Sequence, residues 1–302
     1  MSTLMFKILV PLWNWFDIEE LINLWADEFY FWIDFTIWLN KRDNPKAQIS
    51  LEEVKRVFDI KRKYTNIKFF ITLNEAPINI SQDEIYKLLQ RLLSLINPDA
   101  FIVRDLYLIK VLRQIKPDVK IHLSSLSQIW NRLALDYFFE ILWDSFERLI
   151  FPRDITWIEI YEIIRNYPNL EYEIFAINER CWNVDGLCSS LHYSGKKIWV
   201  PFICYREYSY NWPEDLKQII FNRTSCKVCG FWRFKDIDSV ISLKIVWRWA
   251  TYEQIKRNVI FLRKILDFIE LAENEIEYKN FCKFSLNRIN RVNRCQHCEF
   301  NV

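Results

Sequence analysis

Glycine is scarce in this chain: its 302 residues include three, Gly186, Gly195 and Gly230. Loops that cradle phosphates need several glycines at fixed spacing, and neither a G-x-G-x-x-G motif nor a Walker loop can be written from these positions. Histidine is also rare, with three residues, and none lies in an H-E-x-x-H motif. The sequence therefore argues against phosphate binding by glycine-rich loops and against zinc proteases of that type.

Long apolar runs are absent as well, because no stretch reaches the ~20 residues that a membrane-spanning helix needs. No signal peptide is apparent near the N-terminus, where Lys7 lies among apolar residues. The formal net charge of +2 gives no strong field to attract nucleic acid or acidic membranes. We expect a cytoplasmic globular protein without a membrane span, in which cysteines stay reduced.

Cysteine is absent from the first 180 residues, and eight cysteines follow. Two pairs have the C-x-x-C spacing that is typical of metal sites, and disulfides are disfavoured in the cytosol. The distribution predicts thiolates gathered around metal, with several merely buried thiols as the alternative. The eight are Cys181, Cys188, Cys204, Cys226, Cys229, Cys282, Cys295 and Cys298.

Short β-like runs alternate with amphipathic helices along most of the chain. Capping boxes are predicted at Ser50, Ser81 and Thr251, and Asp154 is the expected cap of the helix after the sixth strand. Eight successive β-then-α units predict a TIM-like (β/α)8 barrel, an α/β fold. The eight predicted strands are 7–11, 29–35, 68–73, 100–103, 120–123, 148–151, 170–177 and 242–246.

We expect one barrel over residues 1–270, with a cysteine-rich insertion at 178–235 after the seventh strand. A C-terminal extension, 271–302, carries the last three cysteines. In such barrels the chemistry lies where strands end, and polar residues follow several predicted strands. Many of them serve equally well as helix caps, above all Asp105 and Asp154. The set is Asn74, Glu75, Asp105, Ser124, Ser125, Arg153, Asp154, Asn178, Glu179 and Arg248.

The cysteines that leave the seventh strand, Cys181 and Cys188, are expected over the mouth of the barrel. Four thiolates bind an iron–sulfur cluster or a zinc ion, and spacing alone does not separate the two. The eight thiols would fill two four-thiolate sites, and a single cluster with reduced cysteines or with zinc is an alternative. The second site would draw on Cys282, Cys295 and Cys298 together with one of Cys226 and Cys229.

Six short blocks between residues 100 and 265 carry a likeness to a known family. They are Phe101 to Asp105, Ile121 to Ser124 with Asn131 beyond, Leu149 to Asp154, Glu173 to Phe175, Cys181 to Cys188, and Leu243 to Arg248. Because of these blocks taken together, the chain resembles peptidase family U-32, the collagenase-like family. The resemblance implies a TIM-like barrel and a 4Fe–4S cluster bound by the cysteines after the seventh strand.

By this resemblance the cluster ligands would be Cys181, Cys188, Cys204 and one of the C-x-x-C pair, of which we favour Cys229. A second site would then be formed by Cys226, Cys282, Cys295 and Cys298, with a second cluster or zinc as the metal.

Relatives in this family take part in oxygen-independent hydroxylation of ubiquinone precursors or of RNA bases. The resemblance therefore implies hydroxylation or a related modification of a small molecule or an RNA. We expect Asp105, Ser124, Arg153 and Glu173 to position the substrate at the barrel mouth.

Two other functions stay open at this point. A peptidase needs a nucleophile with a base, and Ser124 near His122 is the pair that the sequence offers. A non-catalytic subunit, paired with a paralogue in a heterodimer, is favoured by departures from the family pattern. Val246 and Trp247 replace a Glu-Gly pair, and Ile177-Asn178 replaces a His-Gly pair.

Overall fold

A computed structural model describes residues 6–13, 16–34, 49–74, 80–153, 155–177, 227–246 and 251–290. Eight parallel strands form a closed barrel in which each strand pairs with the next in sequence and the last pairs with the first. The predicted TIM-like (β/α)8 barrel is confirmed. The strands are β1 (Phe6–Pro11), β2 (Glu28–Phe31), β3 (Lys68–Leu73), β4 (Ala100–Val103), β5 (Ile121–Leu123), β6 (Phe146–Ile150), β7 (Glu171–Ile177) and β8 (Ile241–Ile245).

Helices follow the strands along the chain. In the described part of the chain, 3-10 helices at Ser125–Ser127, Trp143–Ser145 and Val228–Phe234 join them, the last lying between β7 and β8. Among the described residues, no helix is both long enough and apolar enough to cross a membrane. The α-helices are α1 (Ile18–Asn23), α2 (Leu51–Lys63), α3 (Gln82–Leu95), α4 (Leu106–Ile115), α5 (Arg132–Leu142), α6 (Trp157–Asn166), α7 (Tyr252–Leu271) and α8 (Glu275–Asn290).

Side-chain caps define where the helices begin. The capping boxes predicted at Ser81 and Thr251 are both formed. Helix α6 is capped by Thr156, whose side chain accepts from the Glu159 N–H, and not by Asp154 as predicted. A capping box needs Glu or Gln three residues after the cap, and that condition holds for Thr156 but not for Asp154.

Two strands, β2 and β6, differ from their predicted bounds by more than one residue at an end. Strand β2 ends at Phe31, and the chain beyond it makes an isolated bridge between Ile33 and Ile49. Strand β6 begins at Phe146, earlier than predicted, because the β5–β6 register shifts near its start. The shift leaves Glu147 as an extra, bulged residue, and such a bulge redirects a side chain.

Side chains along each strand point alternately outward and into the barrel, and this alternation separates two apolar cores. On β1, Ile8 and Val10 face outward and pack with the helices, whereas Leu9 faces the barrel interior. The outer core is the larger and joins the barrel wall to the surrounding helices. The interior cluster consists of Leu9, Tyr30, Trp32, Phe70, Ala100, Ile102, Ile150 and Phe175.

Candidate functional site

The carboxyl ends of the strands form the barrel mouth, where the sequence placed the candidate site. Asp105 follows β4 and Ser124 follows β5, and the Ser124 N–H donates to the Val103 carbonyl at 2.9 Å. Arg153 follows β6. These three residues therefore follow the carboxyl ends of three consecutive strands, as predicted. Glu75, Asp154, Asn178, Glu179 and Arg248 lie outside the described residues.

Asp105 is the N-cap of α4. The Leu108 N–H donates to Asp105 Oδ1 at 2.9 Å, and the residue is half-buried. One carboxylate oxygen is thus already occupied by the helix terminus. A role for Asp105 in positioning a substrate stays a prediction.

Ser124 and His122 do not form a nucleophile–base pair. The Leu126 N–H donates to Ser124 Oγ at 3.3 Å, and His122 Nε2 lies 2.9 Å from Glu147 Oε2. His122 is fully buried, and burial, aided by the charge of Arg148, lowers its pKa well below the usual value. The imidazole is therefore neutral and directed at Glu147, and the pairing that a serine peptidase needs is absent from these two residues.

A cation stacked on an aromatic ring marks one side of the mouth. The Arg153 guanidinium carbon lies 4.1 Å from the centroid of the Phe175 ring. This contact joins the segment after β6 to an interior-facing residue of β7. Such stacking holds a guanidinium flat while its N–H groups keep their capacity to donate hydrogen bonds.

Glu173 lies inside the barrel and not at its rim. It is fully buried on β7, and Lys244 Nζ of β8 donates to Glu173 Oε1 at 2.6 Å. The second oxygen, Oε2, has no hydrogen-bond partner among the described residues and lies 4.0 Å from Arg148 Nη1. Glu173 was predicted at the mouth, whereas the pleat of β7 turns it into the interior.

Lys244 is a further candidate site residue, one that was not predicted from the sequence. Its ammonium lies 4.1 Å from the centroid of the Tyr30 ring, and the Tyr30 hydroxyl donates to the Ile245 carbonyl at 3.1 Å. Lys244 is 7% exposed, and Glu173 and the ring both offset its charge. The sequence feature that could have identified Lys244 is its position within β8, a strand that is otherwise apolar except for Ser242.

An ion-pair network fills the amino-terminal end of the barrel. Arg148 Nη1 and Nη2 each donate to a Glu28 oxygen at 2.7 Å, and Arg148 Nε donates to Glu171 at 3.0 Å. Ser242 Oγ donates to Glu28 at 2.6 Å. Burial by itself raises the pKa of Glu28, but Arg148 and these hydrogen bonds lower it to about 2. Glu28 is therefore ionised in the folded protein at neutral pH.

The same end contains three side chains whose ligand atoms all lie within 4.8 Å of one another: His122, Glu147 and Glu171. Imidazole and carboxylates are ligands for divalent metals. However, Arg148 and Lys68 both pair with Glu171, the latter at 3.5 Å. These cations offset the charge that would attract a metal ion, and we assign the group to the ion-pair network.

Two of the eight cysteines fall within the described residues, and they lie in contact. Cys229, on the 3-10 helix before β8, accepts a hydrogen bond from the Cys282 thiol of α8, which lowers the pKa of Cys229. Both thiols are buried. They belong to the outer core, so Cys229 faces α8 and not the barrel interior. Cys181, Cys188, Cys204, Cys226, Cys295 and Cys298 lie outside the described residues, and a centre shared by any of these with Cys229 stays a prediction.

Comparison with known proteins gives relatives of one kind. A tRNA hydroxylation protein P from Helicobacter pylori is 26% identical over 182 residues, which are 60% of this chain and 41% of that protein. One from Haemophilus influenzae is 31% identical over 130 residues, 43% of this chain and 27% of that protein. The chain thus spans well under half the length of these relatives.

Among solved structures, the N-acetylneuraminate lyase of Fusobacterium nucleatum is similar at a TM-score of 0.47 and 11% identity, covering 92% of this chain and 81% of the lyase. A family model described as peptidase family U32 matches residues 13–298, nearly the whole chain. The match includes the blocks around β4 to β8 on which the resemblance was based. The chain belongs to peptidase family U32.

Proposed function

We propose that this chain acts in the oxygen-independent hydroxylation of tRNA bases, with the barrel mouth as the site of modification. The proposal is supported by family membership and by relatives named tRNA hydroxylation proteins. The observation that carries it is the mouth itself, where Arg153 stacks on Phe175. The guanidinium plane of Arg153 at this rim suits an unstacked base or its phosphate, since bases stack on arginine planes as well as on aromatic rings.

The residues below the rim have separate tasks in this proposal. Lys244 and Glu173 form a buried, neutral pair under the rings of Tyr30 and Phe175. A base carbonyl that approaches Lys244 would accept a hydrogen bond from its ammonium without exposing either charge to water. Lys244 would thus orient the base, and Glu173 would hold Lys244 in place.

A 4Fe–4S cluster is the proposed cofactor. Its ligands would be Cys181, Cys188, Cys204 and one of Cys226 and Cys229, which gives the four thiolates that such a cluster needs. When bound, the cluster would supply electron transfer. Of these thiols the structure describes Cys229, which is turned toward α8, so the fit rests on the sequence spacing of the others.

The hydroxylation reaction determines which second molecule must bind beside the base. Replacing a C–H bond of a base by C–OH is a two-electron oxidation, and without O2 a small oxygen donor must supply the oxygen atom and accept the electrons. A donor of that kind has to share the mouth with the base. A paralogous subunit is the proposed partner if the chain alone lacks part of this machinery.

The test uses protein purified without oxygen, analysed for iron and sulfide and incubated with tRNA from cells that lack the gene. Mass spectrometry of the digested nucleosides should show a base heavier by one oxygen atom. We expect Lys244→Met to lower this product at least about tenfold, whereas Lys120→Met, on the exposed amino-terminal side of β5, should have no effect.

The double variant Lys244→Met/Glu173→Met separates activity from folding. Removing both charges should restore any stability that the single variant loses, because no buried charge is left unpaired. Activity should stay low. Iron-free protein, or tRNA unchanged both with the chain alone and with an added paralogue, would refute the proposal.

A further inference from the structure

Inward side chains of the barrel are stacked in layers, and each layer takes four side chains from alternate strands. The strand registers and the tilt of the strands fix the height of every inward side chain. Contacts within layers agree: the Lys244 ammonium lies 4.1 Å from the Tyr30 ring centroid, and the Phe70 and His122 ring centroids are 4.4 Å apart. Toward the mouth, three successive layers are Leu9, Phe70, His122 and Glu173; then Tyr30, Ile102, Ile150 and Lys244; then Pro11, Thr72, Ser124 and Phe175.

The layer nearest the mouth differs from the two beneath it in the size of its side chains. Barrels of this class fill their layers mostly with bulky side chains. Pro11, Thr72 and Ser124 are small, and Phe175 is the one large member of the four. These side chains fill less of the barrel cross-section than the lower layers do, and we call them the floor of the mouth.

Two polar atoms on the β3 side of this floor are unsatisfied. Thr72 is 1% exposed, and its hydroxyl has no hydrogen-bond partner among the described residues. Asn74 lies two residues further along, and its Oδ1 is likewise buried and without a partner in the part of the chain that the structure describes. Residues two apart in extended chain lie on one side of the strand, so both atoms belong to the same wall of the mouth.

Buried hydroxyls elsewhere in the barrel show what is unusual about Thr72. The Ser239 hydroxyl donates to the Pro168 carbonyl at 2.7 Å, and the Ser242 hydroxyl donates to Glu28 at 2.6 Å. The Ser145 hydroxyl also has no partner among the described residues, but it precedes β6 at the amino-terminal end, away from the mouth. A buried polar group without a partner costs free energy, and a ligand that pairs with it recovers that cost.

We propose that Thr72 and Asn74 form a hydrogen-bonding subsite that takes a ring amide, an N–H beside a C=O, of the flat ligand in the mouth. Asn74 Oδ1 can only accept, so the ligand must bring an N–H donor to it. The Thr72 hydroxyl can donate, which suits it to the neighbouring carbonyl. Strands β3 and β7 lie four strands apart in the closed barrel, so this subsite faces the Arg153 and Phe175 side. That the ligand is an RNA base rests on the proposed function.

A substitution of nearly equal shape separates a ligand-binding role from a structural one. Thr72→Val removes the hydroxyl, and the variant should unfold at a urea concentration no lower than wild type, because no hydrogen bond within the described protein is lost. It should nevertheless bind the ligand more weakly. Thr72→Ser keeps the hydroxyl and should keep binding. Thr65→Val is the matched control: Thr65 is exposed before β3, at the other end of the barrel, and neither property should change.

The first test uses two small probes and the full chain, titrated in ligand-observed NMR. 2-Pyridone presents a planar ring amide, and N-methyl-2-pyridone is the same ring with the N–H blocked. We expect wild type to bind 2-pyridone at least about fivefold more tightly than the methylated probe, the value of one net hydrogen bond. Thr72→Val and Asn74→Leu should each weaken 2-pyridone binding by a similar factor, and Asn74→Ala replaces Asn74→Leu if that variant does not fold.

The second test repeats the tRNA assay, in which Thr72→Val should lower the hydroxylated product at least about fivefold and Thr72→Ser should restore it. Wild type that binds neither probe or both equally, or Thr72→Val that loses stability, would overturn the inference. Hydroxylation that is unchanged in Thr72→Val would also overturn it and leave the proposed function standing. Selective 2-pyridone binding by a chain that leaves tRNA unchanged, alone and with an added paralogue, would defeat the proposed function and leave the subsite standing.

Discussion

Replacing Arg148 by methionine is the sharpest test of what holds the barrel interior together. Arg148 is fully buried and gives Glu28 two hydrogen bonds of 2.7 Å and Glu171 one of 3.0 Å through Nε. Methionine keeps most of the length of the side chain and removes the charge. Glu28 would keep only the Ser242 hydroxyl as a described partner.

The free energy of unfolding that Arg148→Met loses can be calculated from the pKa of Glu28, which the network lowers from 4.5 to about 2. That shift of about 2.5 units, at ~1.36 kcal/mol each, stabilises the folded protein by about 3 kcal/mol at neutral pH. Removing one partner of a buried ion pair costs about 3–5 kcal/mol. We therefore expect Arg148→Met to lower the free energy of unfolding by about 3–5 kcal/mol at pH 7.

The loss should depend on pH in a defined direction. The folded pKa of Glu28 is below its unfolded value, so its contribution is present above about pH 4.5 and is lost as the pH falls toward about 2. Wild type loses this stability in acid, whereas Arg148→Met has already lost it. The difference between the two proteins should therefore shrink as the pH is lowered.

Urea unfolding followed by tryptophan fluorescence measures both effects, after coincidence of two probes has established a two-state transition. The double variant Arg148→Met/Glu28→Leu should cost less than the sum of the two single variants, because no buried charge is left unpaired. Arg56→Met is the control: its pair with Glu53 is exposed and should contribute less than about 0.5 kcal/mol. A loss below about 1 kcal/mol for Arg148→Met, or one independent of pH, would refute the reasoning.

Three further predictions concern single positions. Gly230→Ala should destabilise the protein by about 1–3 kcal/mol in urea unfolding, because a Cβ would lie 2.2 Å from the Trp157 ring; wild-type stability would contradict this. Because burial lowers the pKa of His122, the imidazole takes up a proton in the unfolded chain but not in the folded protein. The free energy of unfolding should therefore fall below about pH 6.5 by up to ~1.4 kcal/mol per pH unit. In unfolding measured against pH, His122→Gln should lack this pH dependence, and a slope equal to that of the wild type would contradict the prediction. Asp105→Ala should lower the free energy of unfolding in urea by about 1 kcal/mol, because the Leu108 N–H loses its capping acceptor, and Asp105→Ser should restore the cap. If Asp105→Ser also keeps the hydroxylation activity, the role of Asp105 is helix capping alone.

The barrel could be predicted from sequence because its signals are local. Each strand is a short apolar run, and caps such as Ser81 and Thr251 mark where the next helix begins. The ends of β2 and β6 were missed because they depend on neighbouring strands. The bulge at Glu147 exists only as a mismatch of register between β5 and β6, which a single sequence does not display.

The candidate site was predicted less completely, for a different reason. Residues just after strands, such as Ser124 and Arg153, follow from chain order once the barrel is assumed. The partners of interior charges do not, since Arg148 pairs with Glu28 across 120 positions and Lys244 pairs with Glu173 across 71. Nothing local in the sequence encodes such pairings.

The two ends of the barrel interior use buried charge differently. A buried ion pair is often no more stable than apolar residues of the same volume, so stability alone does not account for Lys244 and Glu173 beneath the mouth. At the amino-terminal end Arg148 pairs with the carboxylates of Glu28 and Glu171. Nearer the mouth Glu173 accepts through Oε1 from a lysine that rests on an aromatic ring, while its Oε2 lies 4.0 Å from Arg148 Nη1 and has no hydrogen-bond partner among the described residues. A polar group left unsatisfied in a closed interior is costly, and a polar ligand that reached it would recover that cost on binding, which is why we propose the carboxyl end of the barrel as the place of the chemistry.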